Sequence, residues 1–294
     1  MRQPWEFPGL KPADIASNLD ELGECYAQHG IVVMPGLLAG DADFQRYLGA
    51  IRFLFTRIFA RYDQSVEADE DIGVLLARLK GFAPLDGRIV ADMGTQQNKF
   101  VAGNRLKFAE FVTKLLERVY GEEAVLATPQ AGDTLHFFMP GEEFHRYNLP
   151  IHQDYQYLMQ SPRQTTLYIG LSKPFPNVGG LEYWPGSHRL GVLHNERNEN
   201  GSFRVVDGEQ LMKDFPRKQY MWDVGDVSLF DSLLCHRSIP NTSADFGRSV
   251  QIFRFSDLND ATAEKYDWRS TTYERRSARF ENEHPELYRG EISR

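Results

Sequence analysis

Three residues whose side chains can bind a metal ion, His152, Asp154 and His236, form the most informative pattern in this sequence. Only one residue separates His152 from Asp154, so on a β-strand both side chains would lie on the same face. We therefore predict a strand from Leu149 to Tyr157. The spacing alone is weak evidence, because roughly one such pair arises by chance in a chain of this length.

Two other pairs have the same spacing, His194 with Glu196 and His284 with Glu286. Neither falls in a convincing strand, and we predict that both lie on the surface. His236 is different, because it follows the apolar segment Val227 to Phe230, which predicts a strand that leads towards it.

Two histidines and one carboxylate on one side of a metal ion leave neighbouring coordination positions open. Non-haem Fe(II) enzymes use such positions for a co-substrate and for O2. A structural zinc site would instead be closed by a fourth protein ligand. The three residues therefore favour iron-dependent oxygen chemistry.

A candidate for binding an organic acid, Arg248, follows His236 and opens the predicted strand Ser249 to Phe255. A guanidinium group pairs with a carboxylate through two parallel hydrogen bonds. Ser238, two residues after His236, could add a hydroxyl donor to the same carboxylate. We therefore predict a carboxylate-binding position close to the metal.

The elements that must position these residues change character along the chain. Apolar residues at helical spacing predict helices in the first third, over Asp14–His29, Asp41–Tyr62, Asp69–Lys80 and Asn104–Tyr120, and a short strand over Ile31–Met34. After Gly121, short apolar runs between turn signals predict strands over Thr134–Met139, Thr165–Leu171, Gly180–Trp184, Val227–Phe230 and Ser249–Phe255. This order predicts a β-sandwich or barrel with helices packed against it.

Four motifs together resemble the phytanoyl-CoA dioxygenase family. They are HQD at 152–154, GGLEYWPGSHRLG at 179–191, HRSIPN at 236–241, and Arg248. The resemblance runs from the first helix and PGLL at 35–38 to about Asp257. It implies a mainly β fold with α-helices, a double-stranded β-helix (jelly roll, cupin-like) buttressed by N-terminal helices.

The same resemblance implies the cofactors and their positions. Fe(II) would be bound by His152, Asp154 and His236, and the C5 carboxylate of 2-oxoglutarate by Arg248 and Ser238, with O2 as the oxidant. Related halogenases replace the carboxylate ligand with a small residue, so Asp154 favours hydroxylation over halogenation. The alternative is a cupin-like metal- or carbohydrate-binding protein that is not catalytic or does not use 2-oxoglutarate.

We expect one oxygenase domain over residues 1–294, with a helical buttress at 1–121, the double-stranded β-helix at 122–257 and a charged extension at 258–294. The net charge of −8 and the lack of a long basic run argue against nucleic acid and favour a small-molecule substrate. No apolar run approaches the roughly 18 residues of a membrane span, and we see no secretory signal, so we expect a cytoplasmic enzyme. Substrate identity and oligomeric state stay open.

Overall fold

The computed structural model describes residues 3–82, 100–128, 134–141, 148–158, 161–197 and 202–265. The pair His284 and Glu286 and the part of the predicted charged extension beyond residue 265 lie outside these residues. Among the described residues, no helix combines the length and the apolar character that crossing a membrane requires.

The first third of the chain is helical, as predicted. The helices are α1 (Leu19–His29), α2 (Ala42–Phe59), α3 (Ile72–Phe82), α4 (Val101–Lys107) and α5 (Glu110–Tyr120). Short 3-10 turns at Pro12–Ser17 and Ala60–Tyr62 precede α1 and follow α2. Asp41 begins α2 by accepting a hydrogen bond from the Phe44 N–H, and Gly30 ends α1 with a positive φ of 70°.

The single helix predicted over Asn104–Tyr120 is wrong, because the chain bends at Phe108 and Ala109. Ala109 has an extended backbone and begins the second helix. No glycine or proline lies at the bend. Helix α4 packs against α2, whereas α5 packs against α1, so the two parts of the predicted helix contact different helices.

The larger sheet is antiparallel and follows the order β1-β9-β4-β11-β2, with β3 also paired to β11. Its strands are β1 (Ile31–Met34), β2 (Leu126–Ala127), β3 (Thr134–Phe138), β4 (Gln164–Gly170), β9 (Val227–Asp231) and β11 (Arg248–Asp257). The sequence predicted five of these six strands to within two residues at each end.

A smaller antiparallel sheet has the order β10-β5-β8, formed by β5 (Gly180–Tyr183), β8 (Lys218–Tyr220) and β10 (His236–Ile239). A separate hairpin joins β6 (Asn195–Arg197) to β7 (Phe203–Val205). Four short strands, β6, β7, β8 and β10, were not predicted. Glu196, which has the same spacing from His194 as Asp154 has from His152, lies on β6 and forms a salt bridge with Arg204. It therefore belongs to the surface of this hairpin.

The predicted strand from Leu149 to Tyr157 is wrong. His152 makes an isolated bridge to His236, and a one-turn helix, α6 (Tyr155–Leu158), begins three residues later. The Tyr157 N–H donates to the Asp154 carbonyl at 3.0 Å, which closes the turn. A 3-10 turn at Ser187–Leu190 and two further short helices, α7 (Gly208–Leu211) and α8 (Ala261–Lys265), complete the described helices.

The larger sheet has one face towards the helices and one towards the site. On the helix side, the Tyr47 hydroxyl of α2 donates to Gln251 at 2.6 Å, and the hydroxyls of Tyr26 and Tyr120 meet Thr165. Since side chains alternate along a strand, Thr166 on β4 and the even-numbered residues of β11 point to the other face. Of these residues, Thr166 and Arg254 contact Asp154.

Candidate metal centre

His152 and His236 are brought together by the backbone. The His152 N–H donates to the His236 carbonyl at 3.0 Å, and the His236 N–H donates back at 3.1 Å. This bridge joins the segment before α6 to the first residue of β10. The two imidazole centroids therefore lie 4.1 Å apart although the residues are distant in sequence.

Asp154 completes a compact set of three buried ligand groups. Its Oδ1 lies 3.6 Å from His152 Nε2 and 3.7 Å from His236 Nε2. One ligand atom from each residue lies within 4.8 Å of the other two, and all three side chains are buried. Within the described ranges, this is the group of His, Cys, Asp and Glu side chains that could hold a metal ion.

Each imidazole has its metal-facing nitrogen ready as a lone-pair donor. His152 Nδ1 lies 2.8 Å from the Pro150 carbonyl, and His236 Nδ1 lies 3.0 Å from the Leu234 carbonyl. Because a carbonyl oxygen only accepts, Nδ1 carries the proton in each ring and Nε2 is free to coordinate. Burial, together with His152, lowers the pKa of His236 to about 4, so His236 is neutral near pH 7.

The second oxygen of Asp154 is held by two other side chains. Oδ2 accepts from the Thr166 hydroxyl at 2.7 Å, and from Arg254 Nε at 3.2 Å and Nη2 at 3.1 Å. Burial alone would raise the pKa of Asp154, but the Arg254 charge and the two histidines hold it well below its usual range. The carboxylate is therefore ionised and presents Oδ1 alone towards the imidazoles.

Gln153 fixes the irregular segment that carries His152 and Asp154. Its amide nitrogen donates to the carbonyls of Gly191 and Leu233, and its amide oxygen accepts from the Leu193 N–H. The Ser187 hydroxyl accepts from the Cys235 N–H at 2.9 Å, next to His236. The motif from Gly179 to Gly191 therefore supports the ligand segments through backbone contacts.

Arg248 is buried and has no hydrogen-bond partner within the described part of the chain. Only 3% of its surface is exposed, and none of its three guanidinium nitrogens has a hydrogen-bond partner among the described residues. The guanidinium carbon stacks 3.8 Å from the Phe138 ring centroid, which covers one face and leaves the N–H edges free. Asn241 of the HRSIPN motif donates to the carbonyls of Phe138, Met139 and Phe246, so this motif fixes the loop beside Arg248.

Three residues at the centre were not singled out by sequence reasoning: Thr166, Tyr168 and Arg254. Thr166 and Arg254 are register partners on β4 and β11, and Tyr168 follows Thr166 on the same face. Arg254 could have been found from the alternation of side chains along the predicted strand. Arg248 and Arg254 are both even-numbered positions of that strand, so they share a face. The partner strand and the inward face were not readable from the sequence.

Ser238 lies on β10 two residues beyond His236, and it is half-buried. Its backbone N–H donates to the Leu149 carbonyl at 3.0 Å, which extends the pairing between these two segments. Its predicted contact with a carboxylate stays a prediction. Cys25 and Cys235 are both buried, and they form no disulfide with each other.

A family model named phytanoyl-CoA dioxygenase (PhyH) matches residues 26–250. The match covers most of the chain and includes the three clustered residues and Arg248. The chain therefore belongs to the phytanoyl-CoA dioxygenase family, whose members use Fe(II), 2-oxoglutarate and O2.

Two curated relatives carry the same description, 1-deoxypentalenic acid 11-beta-hydroxylase. The protein from Streptomyces exfoliatus is 31% identical over 101 residues, which cover 33% of this chain and 36% of the relative. The protein from Streptomyces arenae is 27% identical over 139 residues, which cover 45% of this chain and 48% of the relative. The matched part spans less than half the length of each relative.

Solved structures share the fold at low identity. The epimerase SnoN, in complex with Fe3+, alpha-ketoglutarate and nogalamycin RO, has a TM-score of 0.56 at 17% identity and covers 83% of this chain and 85% of its own. The alpha-ketoglutarate-dependent carbocyclase SnoK has a TM-score of 0.50 at 16% identity, covering 80% and 82%. These similarities, with the two antiparallel sheets, confirm the predicted cupin-like fold with helices against the larger sheet.

Proposed function

We propose that the chain is a non-haem Fe(II)- and 2-oxoglutarate-dependent dioxygenase that hydroxylates an unactivated C–H bond of a small organic molecule. The observation that carries this proposal is an incomplete His-Asp-His ligand set that packs, through Asp154, against the sheet face on which Arg248 is buried without a hydrogen-bond partner among the described residues. The first feature needs a cation and further ligands, and the second needs an anion. Iron chelated by 2-oxoglutarate meets both needs.

The residues present fit Fe(II). Two imidazole nitrogens and one carboxylate oxygen form the donor set that suits non-haem iron, and they leave open positions for further ligands. His152 and His236 would contribute Nε2, and Asp154 would contribute Oδ1. Thr166 and Arg254 would keep Oδ2 away from the ion, which supports coordination through a single oxygen.

Arg248 fits the distal carboxylate of 2-oxoglutarate. Leaving a guanidinium group buried without acceptors costs several kcal/mol, since each unmet bond to a charged group is worth about 1.5–3 kcal/mol. A carboxylate would satisfy two N–H groups at once. Ser238 is kept as a candidate second donor to this carboxylate.

Iron and 2-oxoglutarate together would supply the oxidising chemistry, in which O2 and 2-oxoglutarate yield succinate, CO2 and one hydroxyl group on the substrate. The protein would position both and keep bulk water from the centre, as the burial of the ligand residues and of Arg248 supports. We further propose a single domain over residues 1–294 that works in the cytoplasm on a small molecule. Relatives described as acting on 1-deoxypentalenic acid support a small organic substrate.

The alternative of a cupin-like binding protein that does not use 2-oxoglutarate is less well supported. Such a protein would not need a buried guanidinium group on the sheet face that packs against Asp154. It would need only the metal set or a carbohydrate-binding surface.

The test is an anaerobic titration of the purified protein with Fe(II) and then 2-oxoglutarate. We expect a weak visible charge-transfer band, which a 2-oxo acid chelated to non-haem iron produces. Asp154→Ala should lose the band, because one ligand is removed, and a screen for succinate release would then search for substrates. Folded wild-type protein that binds Fe(II) but never develops the band would contradict the proposal.

A further inference from the structure

A second buried donor faces the same side of the sheet as Arg248. The Tyr168 hydroxyl has no hydrogen-bond partner among the described residues, and the side chain is 2% exposed. On β4, Tyr168 shares its face with Thr166, which contacts Asp154. In register, Tyr168 pairs with Ile252, which lies between Arg248 and Arg254 on β11.

The ring of Tyr168 is fixed by its neighbours, so the position of its hydroxyl is defined. Its centroid lies 4.4 Å from that of Trp222 and 6.3 Å from that of Phe230. The Trp222 N–H donates to the Ser228 hydroxyl at 3.1 Å and is therefore not aimed at Tyr168. Packing holds the ring, while nothing described satisfies the O–H group.

The pKa of Tyr168 is affected by burial and by the charges of both Arg248 and Asp154. Burial raises its pKa to about 12, with Arg248 opposing the rise and Asp154 adding to it. The hydroxyl is therefore protonated at neutral pH and available as a donor. Arg248 can only donate, so these two neighbouring groups cannot both be satisfied by each other.

We propose that Tyr168 is a second anchor for the co-substrate, donating its hydroxyl hydrogen to the same distal carboxylate that Arg248 binds. The inference rests on the proposed function and deepens it. One carboxylate has two oxygens and several lone pairs, enough to accept from the guanidinium edge and from the phenol together. The pair would therefore select a 2-oxo acid with a second carboxylate over one without it.

The test compares wild-type protein with Tyr168→Phe, which keeps the ring and removes only the hydroxyl. Anaerobic titrations of the Fe(II)-loaded proteins would use 2-oxoglutarate and 2-oxobutyrate, a 2-oxo acid without the distal carboxylate. We expect the Kd for 2-oxoglutarate to rise about tenfold and the Kd for 2-oxobutyrate to stay unchanged, because one bond to a charged group is lost. The control is Tyr120→Phe, which removes a buried hydroxyl that contacts Thr165 on the helix side of β4. It should change neither the Kd for 2-oxoglutarate nor the Kd for 2-oxobutyrate.

A second measurement does not depend on the ligand. Because the Tyr168 hydroxyl is buried and no described residue bonds to it, Tyr168→Phe should leave the ligand-free protein at least as stable to heat as the wild type. An unchanged affinity for 2-oxoglutarate, an equal loss with both acids, or a less stable ligand-free variant would each overturn the role of Tyr168. Failure of the wild type itself to chelate 2-oxoglutarate would instead overturn the proposed function.

Discussion

Arg254 and Asp154 form a buried ion pair in which Nη2 lies 3.1 Å from Oδ2. The two oxygens of the carboxylate have different contacts, because Oδ1 faces the two imidazoles while Oδ2 faces the guanidinium group. The arginine comes from β11 and the aspartate from the segment before α6, so the contact also ties the ligand segment to the larger sheet.

Replacing Arg254 with Met should reduce turnover and metal affinity by about 10–100-fold, the usual cost of removing a group that orients a metal ligand. The ligand-free variant should also be less stable, since a buried carboxylate loses its counter-charge. Added Co(II) should restore part of that stability, because the cation takes the place of the guanidinium charge. Thermal unfolding with and without Co(II) measures this.

Arg46→Met is a suitable control, because Arg46 pairs with Asp43 on the exposed surface of α2. This variant should show the same increase in thermal stability on adding Co(II) as the wild type. Full metal affinity and activity in the Arg254 variant would show that Thr166 suffices to orient Asp154.

Arg248→Met should raise the KM for 2-oxoglutarate by about 100-fold or more, since a charge-assisted pair of hydrogen bonds is removed. Fe(II) affinity should stay within a few fold of wild type, because Arg248 has no part in holding the ion. Steady-state kinetics at varied 2-oxoglutarate and a metal titration separate the two effects. An unchanged KM would remove Arg248 from this role.

The raised pKa of Asp231 predicts that the stability of the folded protein depends on pH. It lies on β9 opposite Thr165, on the helix side of the sheet, and burial raises its pKa from 3.8 to about 7. The folded state therefore binds a proton that the unfolded chain has already released between about pH 4 and pH 7. Stability falls as the pH rises through this window, by at most about 4 kcal/mol.

Asp231→Asn should remove this dependence, because the amide is neutral and can still accept from the Leu233 N–H. Urea unfolding should show a more stable variant at pH 8 and a much smaller difference at pH 5. The exposed Asp214→Asn serves as the control and should change little at either pH. A constant difference between Asp231→Asn and wild type at both pH values would contradict the assignment.

Much of this protein could be read from its sequence. Helical periodicity located α1, α2 and α3, and turn signals located five of the six strands of the larger sheet. His152, Asp154 and His236, predicted as one ligand set, lie together in the structure. The order of the four motifs identified the family. These features are local, since they depend on residue types and spacings within short segments.

The tertiary structure decided which strands are neighbours and which side chains face each other. Alternation along β11 places Arg248 and Arg254 on one face, but the sequence does not tell which face is inward or that β4 lies beside it. The two metal histidines meet through a backbone bridge rather than on a regular strand, and the chain turns helical at Tyr155 immediately afterwards. Contacts between distant segments therefore gave Asp154 its Arg254 partner and buried Tyr168 and Arg248 on the same face of the larger sheet, because only folding brings β4, β11 and the His152 segment together.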